Sequence, residues 1–226
     1  MRSRLFSSSN SINIVGSGNV VIVNGKMISD GDTVTASGPK KVEVRPLPSY
    51  SGIKLDAPAE LSYTVTPSPA RLAVTTQENI LPLLTTTVED GQLVIRLDGC
   101  VSLHEPIQIE ASGPSLSSLR VSGSGSMNVG GLTGESLRVK VSGSGNVVAS
   151  GRSQGVRVDV SGSGEVDLSN LKAGGIDVSV SGSGDVDAHA SDVATVDLSG
   201  SGKVRITGNP AQRDVDRSGS GQVSFR

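Results

Sequence analysis

The tetrapeptide Ser-Gly-Ser-Gly occurs six times in the second half of the chain, and this repeat limits the possible folds more than any other feature. A fixed period of about 19 residues is typical of a β-solenoid, in which each repeat forms one coil and buries its inner face on its neighbours. Successive copies start 20, 19, 20, 18 and 19 residues apart, at Ser122, Ser142, Ser161, Ser181, Ser199 and Ser218.

Apolar residues alternate with polar ones around every copy, as in a strand with one buried face. If Leu137 points inward, strict alternation also places Val141, Gly143, Gly145 and Val147 inside. Glycines without side chains would then let the chain bend, so we predict that they mark a structural corner in each coil. These corner glycines are Gly123, Gly125, Gly143, Gly145, Gly162, Gly164, Gly182, Gly184, Gly200, Gly202, Gly219 and Gly221.

The composition agrees with a narrow apolar bore. Aromatic residues make up 2% of the chain and there are 29 glycines, which suits stacked Val, Ile and Leu better than a thick globular core. The sequence therefore predicts an all-β fold, a parallel β-helix with coils of about 19 residues. An up-and-down β-barrel shares the alternation, but it does not need a fixed corner in every repeat.

Three regions are predicted. Residues 1–48 form an N-terminal β extension, because Pro46 and Pro48 interrupt any strand there. Residues 49–114 carry short strand signals without the repeat, which predicts an antiparallel β section that caps the solenoid. Residues 115–226 form the coils.

The N-terminal extension contains a displaced copy of the repeat. Residues 16–21 are identical to residues 143–148, and Ile12 and Ile14 precede them in the same phase. Asn24-Gly25 then predicts a hairpin turn, with Lys26 beginning the return strand. This copy could clasp the last coil, of its own chain or of a neighbour, where Arg217 places a charge in the bore. We therefore predict a closed homo-oligomer.

The repeated Val-Ser-Gly-Ser-Gly-x-Val, together with the preceding strand block at residues 88–95, resembles the bacterial family called putative auto-transporter adhesin, head GIN domain. The resemblance covers residues 51–226. It implies a right-handed parallel β-helix behind a smaller β-sheet section, a cell-surface or extracellular location, and an adhesive function without catalytic residues. The first residues contain no apolar segment of a secretory signal, so a cytoplasmic location also stays open.

Several partners and cofactors are not expected. A formal net charge of −2 and few aromatic residues argue against nucleic-acid binding. No apolar run approaches the roughly 20 residues that span a bilayer, so membrane insertion is not expected. Ser-Gly-Ser-Gly lacks the Gly-Lys-Ser/Thr of a phosphate-binding loop, and no cofactor is predicted.

An acidic surface patch is the main candidate for ion chemistry, formed by Glu165, Asp167, Asp185 and Asp187 on adjacent coils. Calcium-binding repeats place Asp one residue away from these positions, and Lys203 and Arg205 continue the same columns, so we predict a solvated, partly salt-bridged face and no metal site. The same carboxylates would be the acid and base of a polysaccharide-active enzyme, but sugar-stacking aromatics are scarce.

The remaining candidates are single residues. Cys100 and His104 lack a third group to complete a nucleophilic site, and Cys100 is predicted to be a small buried residue. His189 is predicted to be a solvated turn residue. The sequence therefore favours a non-enzymatic, adhesin-like β-helix that acts as a homo-oligomer and binds a glycan or surface protein. A self-assembling structural solenoid is the alternative, and a polysaccharide-active enzyme is the second alternative.

Overall fold

A computed structural model describes residues 21–23, 26–28 and 33–226, and these residues form an almost entirely β protein. Two parts of the predicted N-terminal extension lie outside the described residues. They are the displaced repeat copy as far as Val20, with Ile12 and Ile14 before it, and the turn at Asn24-Gly25. Val23 pairs with Lys26 in an antiparallel ladder, which confirms the predicted hairpin.

Eleven strands precede the repeats in the described residues, with one short 3-10 turn at Leu81–Leu83. They are β1 (Val21–Val23), β2 (Lys26–Ile28), β3 (Val34–Thr35), β4 (Lys40–Pro46), β5 (Gly52–Asp56), β6 (Ala59–Val65), β7 (Arg71–Gln77), β8 (Leu84–Glu89), β9 (Gln92–Leu97), β10 (Val101–Ser102) and β11 (Ile107–Gly113).

The repeats form eight further strands that pair in parallel, coil upon coil, in a solenoid of about five turns. The predicted all-β solenoid is therefore confirmed. These strands are β12 (Ser118–Gly123), β13 (Ser126–Gly143), β14 (Asn146–Gly162), β15 (Glu165–Gly182), β16 (Asp185–Gly200), β17 (Lys203–Thr207), β18 (Gln212–Gly219) and β19 (Gln222–Phe225).

The bore is filled by the apolar ladders that the alternation predicts. Because parallel pairing aligns equal positions of successive copies, the residue two after each tetrapeptide stacks on its counterpart. Each fully buried aliphatic side chain contributes about 1.5–3 kcal/mol to folding. Two of these ladders are buried throughout: Met127, Val147, Val166, Val186 and Val204, and Val121, Val141, Val160, Val180 and Leu198.

The prediction that both glycines of each tetrapeptide point inward is wrong for the first one. Gly143 is exposed and has a φ of +111°, whereas Gly145 is buried. The positive φ ends one strand and interrupts strict alternation, so that Ser142, Gly143 and Ser144 all lie outside the core. The same correction applies to the other first glycines, which also have positive φ: Gly123, Gly162, Gly182, Gly200 and Gly219.

The section before the repeats is mixed, where a purely antiparallel sheet was predicted. β5 and β6 pair in parallel with β12 and β13, and β9 and β11 pair in parallel with β5 and β6. Two coil-like layers without the tetrapeptide therefore continue the solenoid stack. Within the large sheet of the described residues, only β4, β7 and β8 join antiparallel, at the margin of the stack. Short strand signals give no information on partner direction, which explains the difference.

Strand β4 belongs to the large sheet although it precedes the predicted boundary at residue 48. It pairs along its full length with β7, and Arg45 fixes it to the neighbouring turn. The Arg45 guanidinium donates hydrogen bonds to the carbonyl oxygens of Leu84 (2.5 Å) and Leu81 (3.0 Å). Val42 and Val44 on this edge strand are 67% and 69% exposed.

The two tyrosines of the chain meet inside this first section. Tyr50 and Tyr63 are 4% and 2% exposed, and their rings stand edge to face with centroids 6.4 Å apart. The Tyr63 hydroxyl donates a hydrogen bond to the carbonyl oxygen of Pro114 at 2.6 Å. Burial raises the pKa of both phenols, and for Tyr63 the nearby Tyr50 adds to the effect of burial.

Candidate functional site

The outer surface of the coils carries the polar side chains, because the bore is packed with apolar ones. Parallel register turns each outward position into a column of side chains that are about 4.8 Å apart. Columns of serine, acidic residues and basic residues result. The tetrapeptide serines Ser122, Ser142, Ser161, Ser181, Ser199 and Ser218 form one such column.

The predicted acidic patch is assembled by the fold. Glu165 lies opposite Asp185, and Asp167 lies opposite Asp187, in the ladder between β15 and β16. Two carboxylates side by side repel each other, so each needs a local partner. Asp185 Oδ1 accepts a hydrogen bond from the backbone N–H of Lys203 (2.9 Å), and Asp167 Oδ1 accepts one from the N–H of Ser169 (2.9 Å).

Arg205 binds one end of this patch. Its Nε and Nη2 lie 2.5 and 2.6 Å from the two carboxylate oxygens of Asp187, and these hydrogen bonds raise the pKa of Arg205. The bidentate pair occupies both oxygens of Asp187. Within the described ranges, no three His, Cys, Asp or Glu side chains are grouped so that they could hold a metal ion. The arrangement suits a solvated, partly salt-bridged surface.

A basic groove lies on a second face, beside the residues that precede the tetrapeptide in β12, β13 and β14. It is open, has a volume of about 590 Å³, and contains three arginines, Arg120, Arg138 and Arg157. Arg138 and Arg157 are direct partners in the ladder between β13 and β14. In the adjacent column, Arg120 lies between Lys54 and Lys140. The two lysines do not line the groove but belong to the column of Arg120 beside it. We call the five residues Lys54, Arg120, Arg138, Lys140 and Arg157 together the basic groove.

Carboxylates reach only one end of the basic groove. Arg157 contacts Asp159 (Nε to Oδ1, 3.5 Å) and Asp177 (Nη1 to Oδ2, 3.1 Å). Two polar atoms in the groove, Nε of Arg120 and Oγ of Ser118, are buried and have no hydrogen-bond partner among the described residues. The groove is therefore a cationic surface whose carboxylate partners lie at one end.

The basic groove was not among the predicted sites. Its signal is weak, since a cation stands two residues before the tetrapeptide in only two successive copies, at Arg120 and Lys140, and the third copy has Asp159 there. The groove also needs Lys54, which lies in the section without repeats. Only the parallel pairing of β5 with β12 brings Lys54 into the same column.

Among the described residues, no strand pairs beyond the last coil, and we call this side of the stack its open end. β18 pairs only with β16, and β19 pairs only with β17, within the described part of the chain. Val215 is 42% exposed, and with Val223 and Phe225 it lines a depression of about 450 Å³. The Arg217 guanidinium donates a hydrogen bond to the carbonyl oxygen of Gly221 (3.2 Å) over this end.

The single-residue candidates stand apart from these surfaces. Cys100 is exposed, which contradicts the predicted buried position, because it lies in the connection after β9 and outside the core. His104 is also exposed, in the connection between β10 and β11. His189 lies within β16, so the predicted turn is wrong, and its Nδ1 lies 3.2 Å from Thr207 Oγ1. No helix among the described residues is long and apolar enough to cross a membrane.

The sequence profile of one family, described as putative auto-transporter adhesin, head GIN domain, matches residues 49–210. No curated protein matches the chain. Among solved structures, a putative adhesin from Bacteroides fragilis superposes with a TM-score of 0.69 at 20% identity, covering 85% of this chain and 100% of that one.

Two other solved structures have the same fold at lower similarity. A putative adhesin from Parabacteroides merdae has a TM-score of 0.55 at 18% identity and covers 87% of this chain and all of its own. A protein from Parabacteroides distasonis described as a putative lipid binding protein has a TM-score of 0.54 at 20% identity and covers 86% of this chain and all of its own. At these identities the similarity establishes the fold.

Proposed function

The chain belongs to the putative auto-transporter adhesin, head GIN domain family, and from this premise we propose that it is a non-enzymatic, adhesin-like module. It presents the outer columns of its coils to a glycan or a surface protein and acts as a homo-oligomer. The observation that carries the proposal is the register of the coils, which repeats the same outward positions along one rigid stack.

Such a surface suits a ligand that contacts the same side-chain column on several coils. Each column offers similar groups about 4.8 Å apart, so a ligand with repeating units can contact several coils at once. Contacts made by one rigid body act together, and the second contact follows the first at a high effective concentration. The filled bore leaves the outer columns and the open ends of the stack as the surfaces that can meet a ligand.

An array of immobilised glycans, probed with the intact protein, tests this function. We expect saturable binding to at least one glycan class. A matched comparison is the variant Val178→Ala, whose substitution lies inside the bore and leaves the outer columns unchanged. Binding of both proteins to the same glycans supports outer-face recognition, and absence of binding across the array argues against a glycan as the ligand.

The homo-oligomer is supported by the open end of the last coil and by the displaced repeat copy. Placed over that coil with its glycines in phase, the copy sets Ile12 and Ile14 over Val215 and Arg217, and Val20 and Ile22 over Val223 and Phe225. Val215, Arg217, Val223 and Phe225 would then each meet an aliphatic side chain. Added strands of this kind gain main-chain hydrogen bonds as well as apolar contacts.

The length of the connection favours a neighbouring molecule as the donor of this segment. From β9 to β18 the stack rises through β5, β12, β13, β14, β15 and β16, which makes seven steps of about 4.8 Å, or about 34 Å. Val34 and Thr35 pair with β10, which lies between β9 and β11 in the chain. From Ile28 to Val34 the chain makes six steps, which span at most about 22 Å.

Substitutions in the full chain test this assembly. Ile14→Asp with Val20→Asp places charges at positions of the copy that the proposed clasp turns inward. Asn13→Asp with Asn19→Asp places the same charges at positions that it turns outward. We expect the first pair to give monomers and the second pair to keep the oligomer, as measured by light scattering after size separation. Equal masses for both variants would exclude the clasp.

The alternative function is a self-assembling structural solenoid. The edge strand β4, with Val42 and Val44 exposed, lies at one margin of the sheet, and the open coil lies at the other. A head-to-tail contact between two such ends that does not close on itself produces filaments. Electron microscopy of the intact protein separates the two functions, since long filaments support the structural protein and closed particles support the display module.

A further inference from the structure

We propose that the basic groove, Lys54, Arg120, Arg138, Lys140 and Arg157, binds a linear glycan that bears carboxylate or sulfate groups. This inference rests on the proposed display function and specifies the class of ligand and the face that holds it. It is independent of the open coil end and of the homo-oligomer, because the groove lies on the side of the stack.

The parallel register aligns the basic side chains of the groove in two columns. Lys54, Arg120 and Lys140 are successive partners in one column, with spacings of about 4.8 Å. Arg138 and Arg157 are partners in the column two residues away. Like charges placed directly opposite each other destabilise a sheet. An anion that lies between them removes this repulsion, so binding is favoured by relief of strain as well as by direct attraction.

Few carboxylates in the described ranges lie close to the groove cations. Of the five groove cations, Arg157 alone has a carboxylate within 4 Å among the described residues, through Asp159 and Asp177. Lys54, Arg120, Arg138 and Lys140 have none in that part of the chain. Beyond Asp159 and Asp177, the same columns continue through Asp197 and Asp214 toward the C-terminal end. These aspartates would repel an anionic ligand, so they limit it to the coils that contain β5, β12, β13 and β14.

The lining of the groove also contains accessible polar groups. Ser117 and Ser136 add exposed hydroxyl groups to the lining of the groove. Hydroxyl groups beside guanidinium groups suit a sugar chain, whose own hydroxyls exchange hydrogen bonds while its acidic groups contact the arginines.

The lining of the groove favours a glycan over a nucleic acid. Proteins that bind single-stranded nucleic acid stack bases on exposed aromatic rings. None of the described residues that line the groove is aromatic, and both tyrosines of the chain are buried elsewhere. A charged glycan needs no stacking surface when its acidic groups supply the attraction, and the columns provide cations along its length.

Binding of defined polymers to the intact protein tests the proposal. The probes are heparin as the sulfated chain, polygalacturonate as the carboxylated chain, dextran as the neutral chain and single-stranded DNA as the other polyanion. The groove variant combines Arg120→Gln, Arg138→Gln and Lys140→Gln. The control combines Arg152→Gln, Lys172→Gln and Lys203→Gln, three exposed cations on other faces, so that both variants lose three positive charges.

We expect heparin or polygalacturonate to bind the native protein and the control. The groove variant should bind the same polymer with an affinity that is lower by about tenfold or more. Binding should also weaken as salt is added. Melting temperatures of both variants check that the fold is kept, and a groove variant that fails to fold is replaced by the single substitutions.

Three results would overturn the proposal. They are no binding of either acidic glycan, equal weakening by the groove and control variants, and tighter binding of DNA than of either glycan. Binding of dextran or of an uncharged glycan on an array, without binding of the acidic chains, would reject the groove and leave the display function standing. The failures of the two proposals are therefore distinguishable.

Discussion

Gly145 packs on Val121 of the preceding coil, so closely that a Cβ placed on Gly145 would stand 2.5 Å from Cγ1 of Val121. The same relation recurs between Gly164 and Val141, again at 2.5 Å, and between Gly184 and Val160, at 2.6 Å. The second glycine of each tetrapeptide therefore covers the valine ladder of the coil before it. Any side chain there would separate two coils.

This packing predicts that Gly164→Ala destabilises the protein. The new methyl group would meet the carbonyl oxygen of Gly145 at 2.4 Å as well as Val141, and neither neighbour can move without disturbing the stack. Overpacking of this kind costs about 1–3 kcal/mol. The control is Gly155→Ala, where the nearest atom is 3.8 Å away. Denaturant unfolding measures both, and equal stabilities would contradict the role of the second glycine.

The apolar ladder predicts a large effect for Leu168→Ala. Leu168 is 1% exposed inside the bore, and its truncation leaves a cavity between coils. Such changes cost about 2–5 kcal/mol. Val148→Ala is the matched case on the outside, since Val148 is 40% exposed, and we expect a change below about 0.5 kcal/mol. Thermal unfolding distinguishes the two, and a small loss for Leu168→Ala would show that the bore is not tightly packed.

The buried tyrosine pair predicts that the protein loses stability in alkaline solution. Burial raises the pKa of both Tyr50 and Tyr63 above the ordinary value of 10.0. Above pH 10 the unfolded chain releases these protons while the folded protein retains them, so the free energy of unfolding falls as pH rises. The variant Tyr50→Phe with Tyr63→Phe should show a shallower decline. Urea unfolding between pH 8 and 11 measures the slopes, and identical slopes would contradict this cause.

The open coil end predicts that Arg217→Leu increases association. Arg217 occupies an inward position opposite Leu198, and its charge interrupts the apolar ladder at the last coil. A leucine there would extend the ladder and make the end a better template for another strand. Lys172→Leu adds the same side chain on the outside of the stack. Light scattering against protein concentration compares them, and equal association would mean that Arg217 does not protect the end.

The coils were predictable because their signal is repeated. Six copies in one phase identify the ladder of Val147 and Val166, because every copy predicts the same inward positions. The φ of Gly143 was not predictable from alternation, since a single residue in a left-handed conformation shifts the phase within the tetrapeptide. The acidic patch, from Glu165 to Asp187, could be predicted for the same reason as the coils.

The first section was only partly predictable, because no repeat aligns it with the solenoid. Strand signals located β5 and β9, but their parallel partners depend on packing between residues that lie far apart in the sequence. The basic groove depends on this pairing, since Lys54 and Arg120 are 66 residues apart and meet only in the folded stack. Contacts of this kind leave no local pattern.

The most direct test of the account is a binding isotherm of the intact protein on heparin and polygalacturonate, measured beside the groove variant and the charge-matched control. The account predicts saturable, salt-sensitive binding that the control retains and that the variant with Arg120→Gln, Arg138→Gln and Lys140→Gln loses by about tenfold or more. Binding that is absent for both polymers, or that weakens equally in the two variants, would contradict it.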